Sequence, residues 1–131
     1  QIFDAYTLVC DIIKEAKQSI IVIDNYVDET TLMLLSKRHK KIIAVIYTKQ
    51  TKQLALDIKK HNQQYPKITI KELSKAHDRF IIIDKKTVYH FGASLKDLGK
   101  KWFAFSKMEM DAKEILAKLE KGGGDEWAEG M

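Results

Sequence analysis

Residues 77–84 read His77-Asp78-Arg79-Phe80-Ile81-Ile82-Ile83-Asp84. Four consecutive apolar residues between charged ones predict a short strand buried in a sheet. Because side chains alternate along a strand, His77 and Arg79 should project to one face and Asp84 to the other. The start of this strand therefore presents an imidazole beside a guanidinium. That pair suits chemistry on a phosphate, although the segment taken alone is also explained by a His and an Arg that only begin a core strand.

Outward from this segment, apolar periodicity predicts helices that alternate with strands. Helices are expected over residues 2–17, 28–38, 51–65 and 111–121, and strands over 19–24, 42–47, 67–73, 79–84, 87–91 and 102–108. Asp28 and Thr51 are expected to cap the second and third helices, and Pro66 to end the third. Helices that alternate with all-apolar strands predict an α/β fold with a mixed, largely parallel sheet flanked by helices.

The size of the chain allows one domain. It has 131 residues, 45% of them hydrophobic, and a single proline, as expected for an ordered globular domain. We place the domain at residues 1–121. Residues 122–131 begin with three glycines and have no pattern, so they are expected to form a flexible tail or linker. The chain opens on Gln1 rather than Met, and we expect it to be a piece of a longer protein.

The charge and cysteine content narrow the function classes. A net charge of +5 favours nucleic acid as the partner, although a lysine-rich surface can also serve solubility alone. We expect DNA rather than RNA, a choice that the charge itself does not make. The sequence contains no apolar run of the ~20 residues that span a bilayer, so no membrane partner is expected. Cys10 is the only cysteine, which excludes an internal disulfide and favours the cytoplasm. No zinc-type spacing occurs, and we predict neither a metal nor a cofactor.

Residues 77–84 resemble the His-x-Lys-x-x-x-x-Asp motif of the phospholipase D superfamily, with Arg79 at the position where lysine is usual. The family motif continues with Gly-Ser-x-Asn, and this chain has a degraded version, Gly92-Ala93-Ser94-Leu95-Lys96. The preceding order of elements is also similar, so the resemblance covers roughly residues 2 to 120. It implies one copy of a phospholipase D-like half, similar to the nuclease-like branch and to the C-terminal module of phage-related DNA-binding proteins.

The resemblance implies a metal-independent phosphodiesterase, in particular a nuclease, that acts through a phosphohistidine on His77. Such chemistry needs a second imidazole. His39 lies in a basic turn over residues 37–41, expected to be solvated; His61 lies on the apolar face of a helix, and His90 at a strand end. None of them begins a second copy of the motif. The second imidazole is therefore expected from another copy of the chain, in a homodimer.

Other candidate site residues follow from the same resemblance. Arg79 would bind the nonbridging phosphate oxygens, and Asp84 is expected to bind backbone groups rather than substrate. Ser94 and Lys96 are candidates for substrate binding, and Glu109 for orienting His77. Basic residues expected near the motif are Lys75, Lys85, Lys86, Lys96, Lys100 and Lys101.

A second interpretation stays open. The chain can instead be a catalytically silent module that keeps the fold and the anion pocket and holds nucleic acid or a protein partner in a phage-related regulator. Loss of turnover would come from arginine in place of lysine, from Lys96, and from a missing acidic partner for His77.

Overall fold

Helices and strands follow one another in nearly the predicted order. The computed structural model describes residues 2–73, 78–92, 95–97, 105–108 and 112–120. Its elements are α1 (Ile2–Lys14), β1 (Ser19–Ile23), α2 (Glu29–Leu35), β2 (Ile43–Thr48), α3 (Lys52–Gln64), β3 (Ile68–Glu72), β4 (Arg79–Ile83), β5 (Thr87–Phe91), a 3₁₀ turn (Leu95–Asp97), β6 (Phe105–Met108) and α4 (Ala112–Glu120). The predicted tail at residues 122–131 lies outside the described residues.

Both predicted caps are present. The Asp28 carboxylate accepts a hydrogen bond of 2.9 Å from the Thr30 N–H. The Thr51 hydroxyl accepts one of 3.1 Å from the Leu54 N–H. Each side chain satisfies a backbone donor that the first turn of its helix leaves without an intrahelical partner. These local bonds explain why α2 and α3 begin where the sequence predicts.

The six strands form one mixed sheet in the order β3-β2-β1-β4-β5-β6. The β1–β2 and β2–β3 pairs are parallel, whereas β1–β4, β4–β5 and β5–β6 are antiparallel. The predicted α/β fold with a mixed sheet is confirmed, but the parallel share is smaller than expected. Parallel neighbours need a long crossover, which α2 and α3 supply. The turn between β4 and β5 is too short for a crossover and forces antiparallel pairing.

The sheet separates two apolar clusters. One cluster contains the inward side chains of α1 and α2, together with Ile81 and Phe91 of the sheet. The other contains those of α4, together with Phe80 and Val88. β1 is buried on both faces. β2 is not, although its sequence is mostly apolar, because Ile43 at its start is 64% exposed.

The two ends of the sheet can be named from its parallel strands. We call the end at which β1, β2 and β3 finish the carboxyl end, and the end at which they start the amino end. β4 runs against β1, with Ile23 opposite Phe80 and Ile20 opposite Ile83. Arg79 therefore lies at the carboxyl end and Asp84 at the amino end, about 17 Å away for five residues of strand.

Candidate active site

Arg79 begins β4 at the carboxyl end of the sheet. It pairs with Phe91 of β5, so it shares the face that Ile81 and Phe91 present to α1 and α2. Its side chain is half-buried. It forms no hydrogen bond or ion pair with any residue in the described part of the chain. A partly desolvated guanidinium without a carboxylate partner can accept an anion in a bidentate arrangement.

Asp78 and His90 form a pair on the other face of the same end. The Asp78 Oδ1 lies 3.1 Å from the His90 Nε2, with about one third of each side chain exposed (38% and 33%). The His90 ring also packs on Phe80, with ring centroids 5.1 Å apart. This contact holds the start of β4 against β5. The carboxylate beside His77 in sequence therefore binds another imidazole, which sequence reasoning missed.

Asp24 is a second carboxylate at this end that sequence reasoning gave no role. It follows β1 at the level of Arg79 and is fully buried, with 0% exposure. It accepts hydrogen bonds from the backbone N–H groups of Tyr26, at 3.0 Å, and Leu95, at 2.9 Å. The second bond anchors the 3₁₀ turn that carries Lys96. An acid directly after an all-apolar strand is the signal that would have indicated such a buried anchor.

Asp84 is occupied by backbone at the amino end. Its carboxylate accepts hydrogen bonds from the N–H groups of Lys17, at 3.0 and 3.1 Å, Gln18, at 2.7 Å, and Ser19, at 3.0 Å. Partial burial opposes its ionisation, but these hydrogen bonds and the Lys17 charge outweigh it and keep the pKa of Asp84 below its usual value. The expectation that Asp84 binds backbone groups agrees with this geometry. Its position, a strand length from Arg79, makes its role that of fixing β4 against β1.

The remaining candidates divide between the two ends. Lys96 lies at the carboxyl end, in the turn held by Asp24. Lys85 and Lys86 follow Asp84 at the amino end, so they lie next to the end of the motif but a strand length away from Arg79. His77, Ser94 and Glu109 lie outside the described residues, as do Lys75, Lys100 and Lys101.

Two other histidines are far from the carboxyl end. His39 is exposed in the loop before β2, at the amino end. His61 lies on α3 and is only 6% exposed. Its ring stacks on Tyr65 with centroids 4.8 Å apart, and burial, followed by the charge of Arg38, lowers its pKa. Neither can serve an anion held by Arg79.

The basic segment at residues 37–41 was expected to be solvated, but one of its residues, Arg38, is buried. Arg38 is 5% exposed and donates to the carbonyl oxygens of Leu35, at 2.8 Å, and Ile42, at 3.2 Å. It also donates to the carbonyls of Pro66 and Lys67. Burial lowers its pKa. Arg38 thus ties the end of α2 to the starts of β2 and β3.

Neither a metal-binding cluster nor a membrane-spanning helix is found in the described part of the chain. Among the residues that the structure describes, no three His, Cys, Asp or Glu side chains are grouped so that they could hold a metal ion. Within the same ranges, no helix has both the length and the apolar character needed to cross a bilayer.

Comparison with solved structures identifies the fold. NucT from Helicobacter pylori matches with a TM-score of 0.57 and 17% identity, over 92% of this chain and 86% of that one. The phospholipase D family member Nuc from Salmonella typhimurium matches with a TM-score of 0.63 and 18% identity, over 88% of this chain and 84% of that one. The archaeal chromatin protein TrmBL2, described as showing a novel mode of DNA binding, matches with a TM-score of 0.50 and 14% identity, over 98% of this chain and 50% of that one.

Comparison of sequences, unlike comparison of structures, finds no match. No family model matches the chain, and no curated protein matches it. At identities below one fifth, the structural matches establish the fold alone, and that fold is the phospholipase D fold, as the sequence motif indicated.

Proposed function

We propose that this chain is a metal-independent phosphodiesterase that cleaves nucleic acid as a homodimer, through a covalent intermediate on His77. The observation that carries the proposal is Arg79. It is half-buried at the carboxyl end of the sheet, it has no anionic partner among the described residues, and it stands two residues after His77. The fold shared with Nuc and NucT supports the same reaction class.

In the first step, a neutral His77 attacks phosphorus and forms a P–N bond. The P–O bond to the leaving group breaks, and the protonated imidazole of the partner subunit's His77 gives its proton to the departing oxygen. In the second step, that imidazole takes a proton from water, the water oxygen attacks phosphorus, and the P–N bond breaks. Both histidines return to their starting states.

Arg79 would stabilise the charge that builds on the nonbridging oxygens in both steps. A guanidinium can donate two parallel hydrogen bonds to phosphate oxygens, whereas lysine acts as a point charge. Preorganised cations of this kind contribute most of the stabilisation in phosphoryl transfer. Asp24 would support the site indirectly, because it holds the turn that carries Lys96.

A second function is favoured by one comparison. TrmBL2 is described as an archaeal chromatin protein with a novel mode of DNA binding, and this chain has arginine where the family motif has lysine. A module that binds DNA at Arg79 without cleaving it is therefore the alternative.

Cleavage in the presence of EDTA separates the two functions. The purified chain is incubated with single-stranded and double-stranded DNA and RNA. Cleavage that survives EDTA and falls by about 10³-fold or more in His77→Asn supports the phosphodiesterase. His39→Asn, at the far end of the sheet, is the matched control and should cleave the small diester bis(4-nitrophenyl) phosphate normally, whereas His77→Asn should not. If wild type and both variants bind DNA but none of them cleaves it, the chain is the DNA-binding module and not the phosphodiesterase.

The homodimer is tested by sedimentation and by complementation. A monomer at the concentrations of full activity would contradict a composite site. Mixing His77→Asn with wild type should reduce activity more than dilution alone, because each mixed dimer lacks one of its two imidazoles.

A further inference from the structure

Three segments of the chain meet at the amino end of the sheet and bring their lysines together. The Ile43 N–H donates to the Gln18 carbonyl at 3.1 Å, and the Asp84 N–H donates to the Ser19 carbonyl at 2.9 Å. These bonds place the end of α1, the loop before β2 and the β4–β5 turn side by side. We call the exposed lysines of these segments the amino-end basic surface: Lys14, Lys17, Lys40, Lys41, Lys85 and Lys86.

The six lysines outnumber the two carboxylates of the same segments, Glu15 and Asp84, which also accept hydrogen bonds from other groups. Asp84 is occupied by three backbone N–H groups. Glu15 accepts the Tyr89 hydroxyl, at 2.9 and 3.1 Å, and burial together with that carboxylate raises the pKa of Tyr89 to about 12. Among the residues that the structure describes, none of the six lysines forms an ion pair. A local excess of positive charge is therefore built into this end of the molecule.

The surface is concave where α1 and the loop before β2 face one another. A cavity of about 380 Å³ opens there, lined by Lys14, Lys17, His39, Lys40 and Lys41, by the carboxylate Glu15, and by Ala16 and Ile42. A groove edged by ammonium groups fits a narrow chain of phosphates better than a flat charged sheet of lipid headgroups. Lysines contact phosphates without reading bases, so binding here should be independent of sequence.

We propose that the amino-end basic surface is a second nucleic-acid-binding surface, which holds the phosphate backbone about 17 Å or more from Arg79. B-DNA carries one charge per ~1.7 Å of helix axis, so several lysines can engage phosphates of one duplex. The inference rests on nucleic acid being the substrate of the proposed function. Its role is to retain a long polymer while the carboxyl end acts on one bond.

The test compares two triple variants of equal charge in a His77→Asn background, so that no substrate is consumed. The surface variant carries three substitutions, Lys14→Gln, Lys40→Gln and Lys41→Gln. It removes three cations from the surface but keeps Lys17, which interacts with Asp84. The control variant carries Lys59→Gln, Lys60→Gln and Lys107→Gln, at three exposed lysines of α3 and β6. Binding of a short labelled DNA duplex is followed by fluorescence anisotropy over a salt series, after thermal unfolding confirms that both variants fold.

The surface variant should bind roughly 30-fold or more weakly at low salt, and its log–log salt slope should fall by about 2 to 3, whereas the control changes little. Unchanged binding, or equal losses in both variants, would overturn the proposal. So would a surface variant that loses only its binding to phosphatidylserine vesicles, which would make the surface a membrane contact.

Cleavage of a small diester, bis(4-nitrophenyl) phosphate, separates this proposal from the proposed function. With His77 restored, the surface variant should cleave this substrate at the wild-type rate, because the substrate cannot reach both ends of the sheet. A rate that falls with duplex binding would show that the surface belongs to the active site and would overturn the proposal. A wild-type protein that binds duplex through the surface but cleaves no diester would instead refute the proposed function alone.

Discussion

Arg38 and Arg79 lie at opposite ends of the central sheet, and both are at least partly buried. Arg38, at the amino end, donates to four backbone carbonyl oxygens and joins α2 to the starts of β2 and β3. Arg79, at the carboxyl end, donates to no residue in the described part of the chain. A guanidinium whose N–H groups all donate to backbone carbonyls stabilises the fold. A guanidinium whose N–H groups have no protein acceptor can bind an anion.

The carboxylates of the two ends show a related difference. Asp84 is committed to three consecutive backbone N–H groups of the segment before β1. At the carboxyl end, Asp24 anchors the turn with Lys96, and Asp78 binds His90 beside the motif. Acidic groups at the amino end thus hold strands in register, while those at the carboxyl end position the segments around Arg79.

The largest effect is expected from Arg38→Leu. Removing the guanidinium takes a hydrogen bond from each of four backbone carbonyl oxygens, although that of Leu35 keeps the Arg38 backbone N–H, so the free energy of unfolding should fall by about 3 kcal/mol or more. Urea unfolding followed by circular dichroism measures it. Lys37→Leu, at an exposed neighbouring position, should change stability by no more than ~0.5 kcal/mol. Similar losses in both variants would remove the distinction between the two arginines.

Arg79→Ala should give the converse result. Cleavage is expected to fall about 10²-fold, equivalent to ~2.7 kcal/mol of transition-state stabilisation, with stability changed by less than ~1 kcal/mol because no protein group in the described part depends on this side chain. Arg79→Lys should recover part of the rate by restoring the charge. Steady-state cleavage and urea unfolding are measured on the same samples. A variant that unfolds readily but cleaves normally would make Arg79 a structural residue.

Asp84→Asn should lower the free energy of unfolding at pH 7 by about 1 to 2 kcal/mol, since the amide keeps a hydrogen-bond acceptor but loses the charge. The pKa of Asp84 is lowered in the folded state, so its stabilisation is complete above the unfolded value of ~3.9 and is lost as pH falls through the folded value. Wild type should lose this increment at acid pH, and Asp84→Asn should not.

Unfolding curves at several pH values between neutral and acid measure the Asp84 effect. Asp11→Asn, an exposed substitution on α1, is the control and should follow the wild-type curve. Parallel pH profiles for wild type and Asp84→Asn would contradict a charge-dependent role for this carboxylate.

The smallest effect is expected from Lys85→Gly. Asp84 and Lys85 have φ values of 55° and 58°, and a non-glycine residue in the left-handed region costs about 1 to 2 kcal/mol. Glycine removes that cost but loses more conformational entropy on folding. We therefore expect the free energy of unfolding to rise by roughly 0.5 kcal/mol. Lys86→Gly, outside the positive-φ pair, should destabilise instead. Thermal unfolding separates the two, and equal shifts would contradict the turn geometry.

Much of the fold follows from local pattern. The all-apolar runs in β1 and β4 predict buried strands, and Asp28 and Thr51 start their helices because the capping bonds are local. Residues 77–84 also indicate the family fold that the comparisons with Nuc and NucT establish. Local pattern failed for Ile43, which begins an apolar strand and yet is 64% exposed, because no periodicity shows which neighbours cover a face.

The sequence alone specifies a basic α/β domain with one copy of a segment, residues 77–84, that resembles the phospholipase D motif, since propensity, capping and alternation act over a few residues. The assignment of each charge to an end of the sheet depends on strand direction and register. Lys85 is six residues from Arg79 in sequence and lies at the opposite end, whereas Asp24 is distant in sequence and lies level with Arg79. The burial of Arg38 and the Asp78–His90 pair likewise arise from contacts between separate elements, which no local signal encodes.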